Sequence, residues 1–208
     1  VSDPNLYFVD QVLEQLERDY GKEFVHFGGL KILTTLDTRY QKLAFKSVQN
    51  HLEALQNQIV NGRGEAPLQA ALVAIENKSG AVRAMLGGRD YSYSQFNRAT
   101  SNNRLPGSSF KPFVYFTAME ELGYSPATVV TDEPLTIDIP GSGPWSPQNF
   151  NEDYAGNIIL KKALMKSINI ISAKLVNEVG PEKVIRMARK FGIKSPLGKN
   201  LSLALGTS

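Results

Sequence analysis

Apolar residues recur at steps of three and four from the start of the chain. Leu6, Val9, Leu13, Leu16 and Tyr20 lie on one stripe, which predicts an amphipathic helix over residues 5–20 that Gly21 can end. LKILTTL at 30–36 predicts a strand with Leu30, Ile32 and Thr34 on one face. Asp37 or Thr38 can cap the helix that follows. Gln41 stands three residues after Thr38, as in a capping box, and Tyr40, Leu43, Ala44, Val48, Leu52 and Leu55 carry that helix to about Leu55. NQIVNGRGEAP at 57–67 reads as a loop and a subdomain boundary. LQAALVAI is an almost unbroken apolar run, as in a strand buried on both faces, and AVRAML returns after ENKSG. This predicts a hairpin over 68–86 that turns at Gly80 and is broken by Gly87 and Gly88.

Beyond the hairpin the pattern changes. Residues 89–106 are polar and irregular, and a helix is predicted from Ser108 to about Leu122, stopped by Gly123. Pro112 is tolerated there because it falls in the first turn, where N–H groups lack helical partners. Residues 124–157 are rich in Pro, Gly, Asp and Asn, with only short extended pieces. Two short helices follow, Leu160 to about Lys166 and Ile170 to about Val179. A third opens at Pro181, is lined by Val184, Ile185, Ala188 and Phe191, and ends at Gly192. The reading is a mixed α+β chain with one hairpin and several packed helices.

Composition narrows the chemistry. An apolar share of 42% and a charged share of 21% belong to a chain that folds rather than one that stays disordered. A net charge of +3 with mixed signs and no basic run points away from nucleic acid. With no cysteine there is no disulfide, thiolate metal site or cysteine nucleophile. His26 and His51 stand far apart without a matching ligand set, so neither reads as a metal ligand. No apolar run approaches the ~20 residues that cross a bilayer, and no leader is visible, so a membrane anchor is expected outside these residues.

GSSFKP at 107–112 is the sharpest local feature. Ser108 and Lys111 are three apart, which on a helix sets both side chains on one face. Lys111 can then take the Ser108 proton, provided burial or nearby positive charge lowers its pKa from ~10.4. The helix N-terminus adds N–H donors for an oxyanion. Ser-x-x-Lys also arises about once by chance in such a chain. The competing reading is a helix cap followed by a solvated lysine. Ser109, the other hydroxyl, has Pro112 three residues on. Ser167 and Asn169 are two apart, and on a continuous helix they point to opposite sides. They share a site only if the backbone breaks between the two short helices, and spacing alone favours the unbroken helix.

FNRATSNNRLPGSSFKPFVYFTAMEELG at 96–123 resembles the catalytic helix region of class A penicillin-binding proteins. ALMKSINIISAKL at 163–175 resembles their S-x-N segment, LVAIENKSGAVRAMLGG at 72–88 the hairpin that opens their transpeptidase fold, and GGLKILTTLD at 28–37 the segment leading into it. ALGTS at the end resembles the usual continuation, so the likeness runs through the chain in the family's order. It implies a β-lactamase/transpeptidase-like fold, an antiparallel sheet packed by helices. It also implies a linker or N-terminal subdomain over 1–65 and the N-terminal part of the transpeptidase domain over 66–208. By the same resemblance Ser108 is the acylated nucleophile, Lys111 its general base, Ser167 a proton shuttle and Asn169 the group that orients the stem peptide. The implied partners are peptidoglycan stem peptides, a D-Ala-D-Ala donor and an amine acceptor, together with β-lactams that trap the serine. No cofactor or metal is implied. The implied place is extracytoplasmic, with a glycosyltransferase on the same polypeptide.

One family element is not found. The K-[ST]-G strand that binds the substrate carboxylate and builds part of the oxyanion hole lies after the S-x-N segment in the family. The Lys78-Ser79-Gly80 of this chain precedes the nucleophile and reads as a turn. With that strand and other central strands expected beyond residue 208, the 208 residues alone are expected to expose sheet edge and core surface and to be inactive unless something else completes them. A related serine acyltransferase (β-lactamase, β-lactam sensor or D,D-carboxypeptidase) and a non-catalytic interaction module are the other readings. Trp145 and the SPQNF after it are read either as groove lining or as a packing anchor.

Overall fold

The first apolar stripe forms its helix over Leu6–Tyr20 (α1), and Gly21, with φ 86°, ends it as expected. A computed structural model describes residues 3–59, 67–100 and 104–207. The chain divides into two compact units, Val1–Asn102 and Asn103–Ser208. Among the described residues no helix is long and apolar enough to cross a membrane.

In the first unit α1 is followed by a short helix, Lys22–Phe27 (α2), that the apolar pattern did not reveal. The next long helix runs Thr38–Ile59 (α3). Asp37 caps it, its carboxylate accepting the Arg39 N–H at 2.9 Å. Hydrogen bonds from the Arg39 guanidinium, together with that N–H, hold the Asp37 carboxyl down at about 2. Ala44, Val48 and Leu52 of α3 pack on Ala84 and Leu86 of a hairpin made by Leu72–Ile75 (β1) and Val82–Leu86 (β2). Gly80 takes φ 72° at the turn, and its N–H donates to Glu76 O at 2.8 Å. Lys78-Ser79-Gly80 is thus turn structure, with the Ser79 hydroxyl donating to the Glu76 carboxylate.

Four expectations are corrected here. LKILTTL is not a strand: only Asp37 N–H to Arg83 O, Thr35 Oγ1 to Val82 O and Arg83 to Thr35 O tie this segment to β2, too few for a ladder. Leu33 is 86% exposed there. Gln41 is no capping-box member. Its buried amide accepts the Met85 N–H and donates to Met85 O at 2.9 and 2.8 Å, standing in for a strand along β2. α3 also outruns Leu55 by four residues. β1 is buried on one face only, since Val73 and Ile75 are exposed. The loop expected over 57–67 lies mostly outside the described residues.

Gly87 and Gly88 do more than end β2. A Cβ on Gly87 would stand 2.3 Å from Asn97 Oδ1, and one on Gly88 would stand 2.4 Å from the Tyr7 hydroxyl. Their bareness lets residues 97–98 close over the strand end, where Arg98 N–H donates to Gly87 O.

The second unit centres on a helix, Lys111–Leu122 (α4), entered through the 3-10 turn Gly107–Phe110 and closed by Gly123 at φ 67°. Apolar residues face the core around most of α4 (Val114, Tyr115 and Ala118 buried, Phe113, Met119 and Leu122 packed against them), as befits a helix enclosed by others. The loop-rich stretch contains more strand than one hairpin. Val129–Asp132 (β3) pairs antiparallel with Gly156–Ile159 (β6), and Ile137–Ile139 (β4) with Gly143–Trp145 (β5). Leu160–Met165 (α5), Asn169–Val179 (α6) and Pro181–Lys190 (α7) follow. Val184 and Ala188 of α7 are buried, whereas Phe191 is 55% exposed and sets its ring edgewise on Phe113 and Phe116. A second 3-10 turn, Leu201–Leu205, inserts Leu203 and Ala204 into the core shared by α4, α6 and α7. The architecture is the expected mixed α+β one, with antiparallel pairs and packed helices.

Candidate active site

Ser108 and Lys111 sit at opposite ends of one tight turn. Pro112 falls at the start of α4, and ahead of it the chain winds as a 3-10 helix rather than the α-helix expected from Ser108 onward. In that winding residues three apart are nearly eclipsed, so Ser108 and Lys111 share a side more closely than α geometry would give. Ser108 is exposed, and its hydroxyl makes no hydrogen bond among the described residues. Ser109 is engaged elsewhere, its hydroxyl donating to Pro106 O.

Lys111 is the reverse case, with a side chain 0% exposed. Its Nζ donates to Ser167 O at 2.6 Å, to Asn169 Oδ1 at 2.7 Å and to Ser167 Oγ at 3.1 Å. These three acceptors match the three N–H bonds of an ammonium. Removal from water still disfavours the charge and lowers the pKa from 10.5 to about 8. In the neutral amine one of those contacts must reverse. Of the three acceptors, only Ser167 Oγ carries a proton it could give back to a neutral amine.

The backbone break needed to bring Ser167 and Asn169 together is present, and the single continuous helix is overturned. α5 closes with Ser167 N–H on Leu164 O at 2.9 Å and Ile168 N–H on Ala163 O at 3.0 Å. This is the double closure of a Schellman turn, whose left-handed position is usually glycine. Here it is Ser167, at φ 54°. Ile168 then runs extended, and its buried side chain tethers the turn beside buried Ala163. α6 begins at Asn169.

Ile168 has no oxygen with which to cap α6. The cap comes from Asn149, whose Oδ1 accepts the Asn169 and Ile170 N–H groups at 3.0 and 3.2 Å. Asn149 Nδ2 donates to both oxygens of buried Asp132, at 2.9 and 3.1 Å, and to Asp153 O. The Ala155 N–H also reaches Asp132, at 2.8 Å. Asn169 Nδ2 donates to Gln148 O at 2.9 Å, and its second N–H has no partner among the described residues. Sequence reasoning treated SPQNF as groove lining or packing and did not single out Asn149 or Gln148. An exposed-looking Asn in a long loop gives no sign that it caps a helix twenty residues later. Trp145 packs half-buried against the core.

Removing that cap gives a testable result. In Asn149→Ala, α6 loses its acceptor and Asp132 loses a donor inside the protein. Chemical denaturation is expected to show a loss of about 2–3 kcal/mol. A loss within error would mean that the cap is redundant.

A cavity of ≈ 320 Å³ opens beside the break, lined by Asp132, Asn149, Phe150, Tyr154, Lys166 and Ser167 among others. That volume suits part of a peptide chain. Among the described residues no cluster of His, Cys, Asp and Glu fits a metal ion.

Residues 70–204 match the penicillin-binding protein transpeptidase domain. The chain is 37% identical over 223 aligned positions to penicillin-binding protein 1A of Neisseria lactamica, covering 97% of this chain and 27% of that protein. It is 35% identical to penicillin-binding protein 2D of Bacillus subtilis, over 97% of this chain and 28% of that one. Among solved structures, penicillin-binding protein PonA1 of Mycobacterium tuberculosis superposes with a TM-score of 0.79 at 26% identity, over 99% of this chain and 53% of that one. The chain therefore spans about a quarter of the length of these curated relatives.

Proposed function

The chain belongs to the penicillin-binding protein transpeptidase family, and on that premise we propose that it carries the acylating half of a peptidoglycan D,D-transpeptidase site. One observation carries this reading: a buried lysine amine, held between Ser167 and Asn169, one 3-10 turn from an exposed serine hydroxyl. Lysines are rarely buried in this way and usually keep the ammonium in water.

In the proposed reaction Ser108 Oγ attacks the carbonyl between the two terminal D-alanines of a stem peptide. The neutral Lys111 amine takes the hydroxyl proton. Ser167, in contact with that amine, passes a proton to the nitrogen of the departing D-alanine. The free N–H of Asn169 is suited to a peptide carbonyl of the donor, and the cavity beside Ser167 gives the chain room. An amine of a second stem peptide then attacks the ester, returning its proton through the same groups and leaving a cross-link. A β-lactam presents a similar acyl centre and stays on the serine. The site needs no metal or cofactor for these steps.

We place this reaction outside the cytoplasmic membrane, where its polymer lies, with membrane attachment outside the described residues and a glycosyltransferase on the same polypeptide. Residues 1–65 then form a linker or N-terminal subdomain, and 66–208 part of the transpeptidase domain. The family match begins at residue 70, near that boundary, although the compact units divide after Asn102.

The test is covalent labelling of the protein that carries this chain with a fluorescent penicillin, followed by peptide mapping and decay of the adduct. A slowly lost label on Ser108 is expected. Fast clearance would indicate a β-lactamase, and a label elsewhere or none would end the reading.

A further inference from the structure

The turn that presents Ser108 is fixed from behind by a segment nearly a hundred residues later. Gly107, just before Ser108, is left-handed at φ 55°, and its N–H donates to Gly206 O at 3.1 Å. Gly206 is left-handed too, at φ 67°. A Cβ built on it would stand 2.1 Å from Gly107 O and 2.8 Å from both Gly107 C and Gly107 N. All three are backbone atoms, so no side-chain rotation relieves the clash. Gly206 itself is anchored: it closes the 3-10 turn Leu201–Leu205, whose Leu203 and Ala204 are fully buried.

We infer that Gly206 is a positioning residue for the nucleophile, acting through the Gly107 backbone. The proposal rests on the assignment of Ser108 as the acylated group. Two independent clamps then set the distance between Ser108 and its base. Ser167 and Asn169 hold the Lys111 amine, and the Gly107–Gly206 contact holds the start of the 3-10 turn. A side chain at 206 displaces only the second clamp. It pushes Gly107 and Ser108 off line and leaves the three acceptors around Lys111 untouched.

A misplacement of this size costs about 10²-fold in the rate of a positioned reaction. The experiment compares wild type with Gly206→Ala in the protein that carries this chain. Three quantities are read: the rate constant of acylation by a penicillin, the final fraction of protein labelled, and the pH dependence of the rate. The expected result is a rate constant lower by about 10²-fold, with nearly full labelling at long times and an unchanged pH midpoint. A purely structural role would lower the final labelled fraction with folding and leave the rate constant of the folded protein alone. That outcome, or an unchanged rate, overturns the inference. Should Gly206→Ala not fold, Gly107→Ala supplies the test from the other side of the contact, since an alanine at φ 55° strains the same turn. Full labelling at a reduced rate supports the inference, and a wild-type rate overturns it. Failure of the wild type to be acylated at Ser108 would instead count against the functional reading itself.

Discussion

Ser108→Ala is expected to abolish labelling by penicillin, with a fall in acylation rate on the order of 10⁴–10⁶-fold. The size follows from the lack of a substitute. Ser109 is the adjacent hydroxyl, but it donates to Pro106 O, and the position one turn on from it is Pro112, which has no base to offer. Ser167 touches the lysine amine, yet it lies on the left-handed turn where its Oγ serves that amine. The Ser108 side chain is exposed and makes no hydrogen bond among the described residues, so its removal leaves none of their buried groups unpaired, and folding is expected to be unchanged within about 0.5 kcal/mol. Labelling on a gel beside a thermal unfolding curve checks both halves. A Ser108→Ala protein that still takes up label at the wild-type rate would remove Ser108 as nucleophile.

The second large effect concerns Lys111. Lys111→Ala is expected to slow acylation by about 10²–10⁴-fold, the usual yield of a positioned general base. In the proposed reaction the neutral amine is the working form, and with a pKa of about 8 it is roughly a tenth of the population at pH 7. The acylation rate should therefore climb with pH and level off above about 8, and Lys111→Ala should lose that limb. Folding has the related dependence. The folded pKa lies below the unfolded one, so between about 8 and 10.5 the unfolded chain holds a proton that the folded chain has released. Stability owed to this group rises with pH across that window, and below it the cost of burying the charge is fully present. Thermal unfolding of wild type and Lys111→Met at neutral pH and near pH 10 should show wild type gaining on the variant. A pH-independent difference would mean that the lysine is not desolvated as described.

What could be read from the sequence had local causes. α1 and α4 each end at a glycine the pattern had marked, because a positive φ at Gly21 or Gly123 is a one-residue decision. The hairpin turn at Gly80 is of the same kind. The strand expected at 30–36 failed because alternation describes a face, whereas a strand needs a backbone partner, and β2 meets that segment at too few points. Gln41 was misread for a related reason. A glutamine three residues after a threonine suits a cap, but the partner that decided its role, Met85, lies forty-four residues away. At the candidate site the sequence marked Ser108 and Lys111 by a spacing that also arises by chance, and the room for a break at Ser167 was legible from the two short helices. The choice between a broken and a continuous helix was not, since the left-handed position carries no glycine. Asn149 was invisible because its cap joins a loop to a helix that begins beyond two intervening elements.

The left-handed torsion at Ser167 also sorts the hydroxyl amino acids. Glycine would adopt that φ freely but deliver no oxygen. Threonine would deliver one, but its branched Cβ makes it an outlier in the left-handed region. Tyrosine would carry its oxygen several ångströms past the amine. Serine meets both demands, at a torsional cost of about 1 kcal/mol or slightly more. The geometry of a helix ending has thereby restricted which side chain can meet the Lys111 amine there, before any substrate is considered.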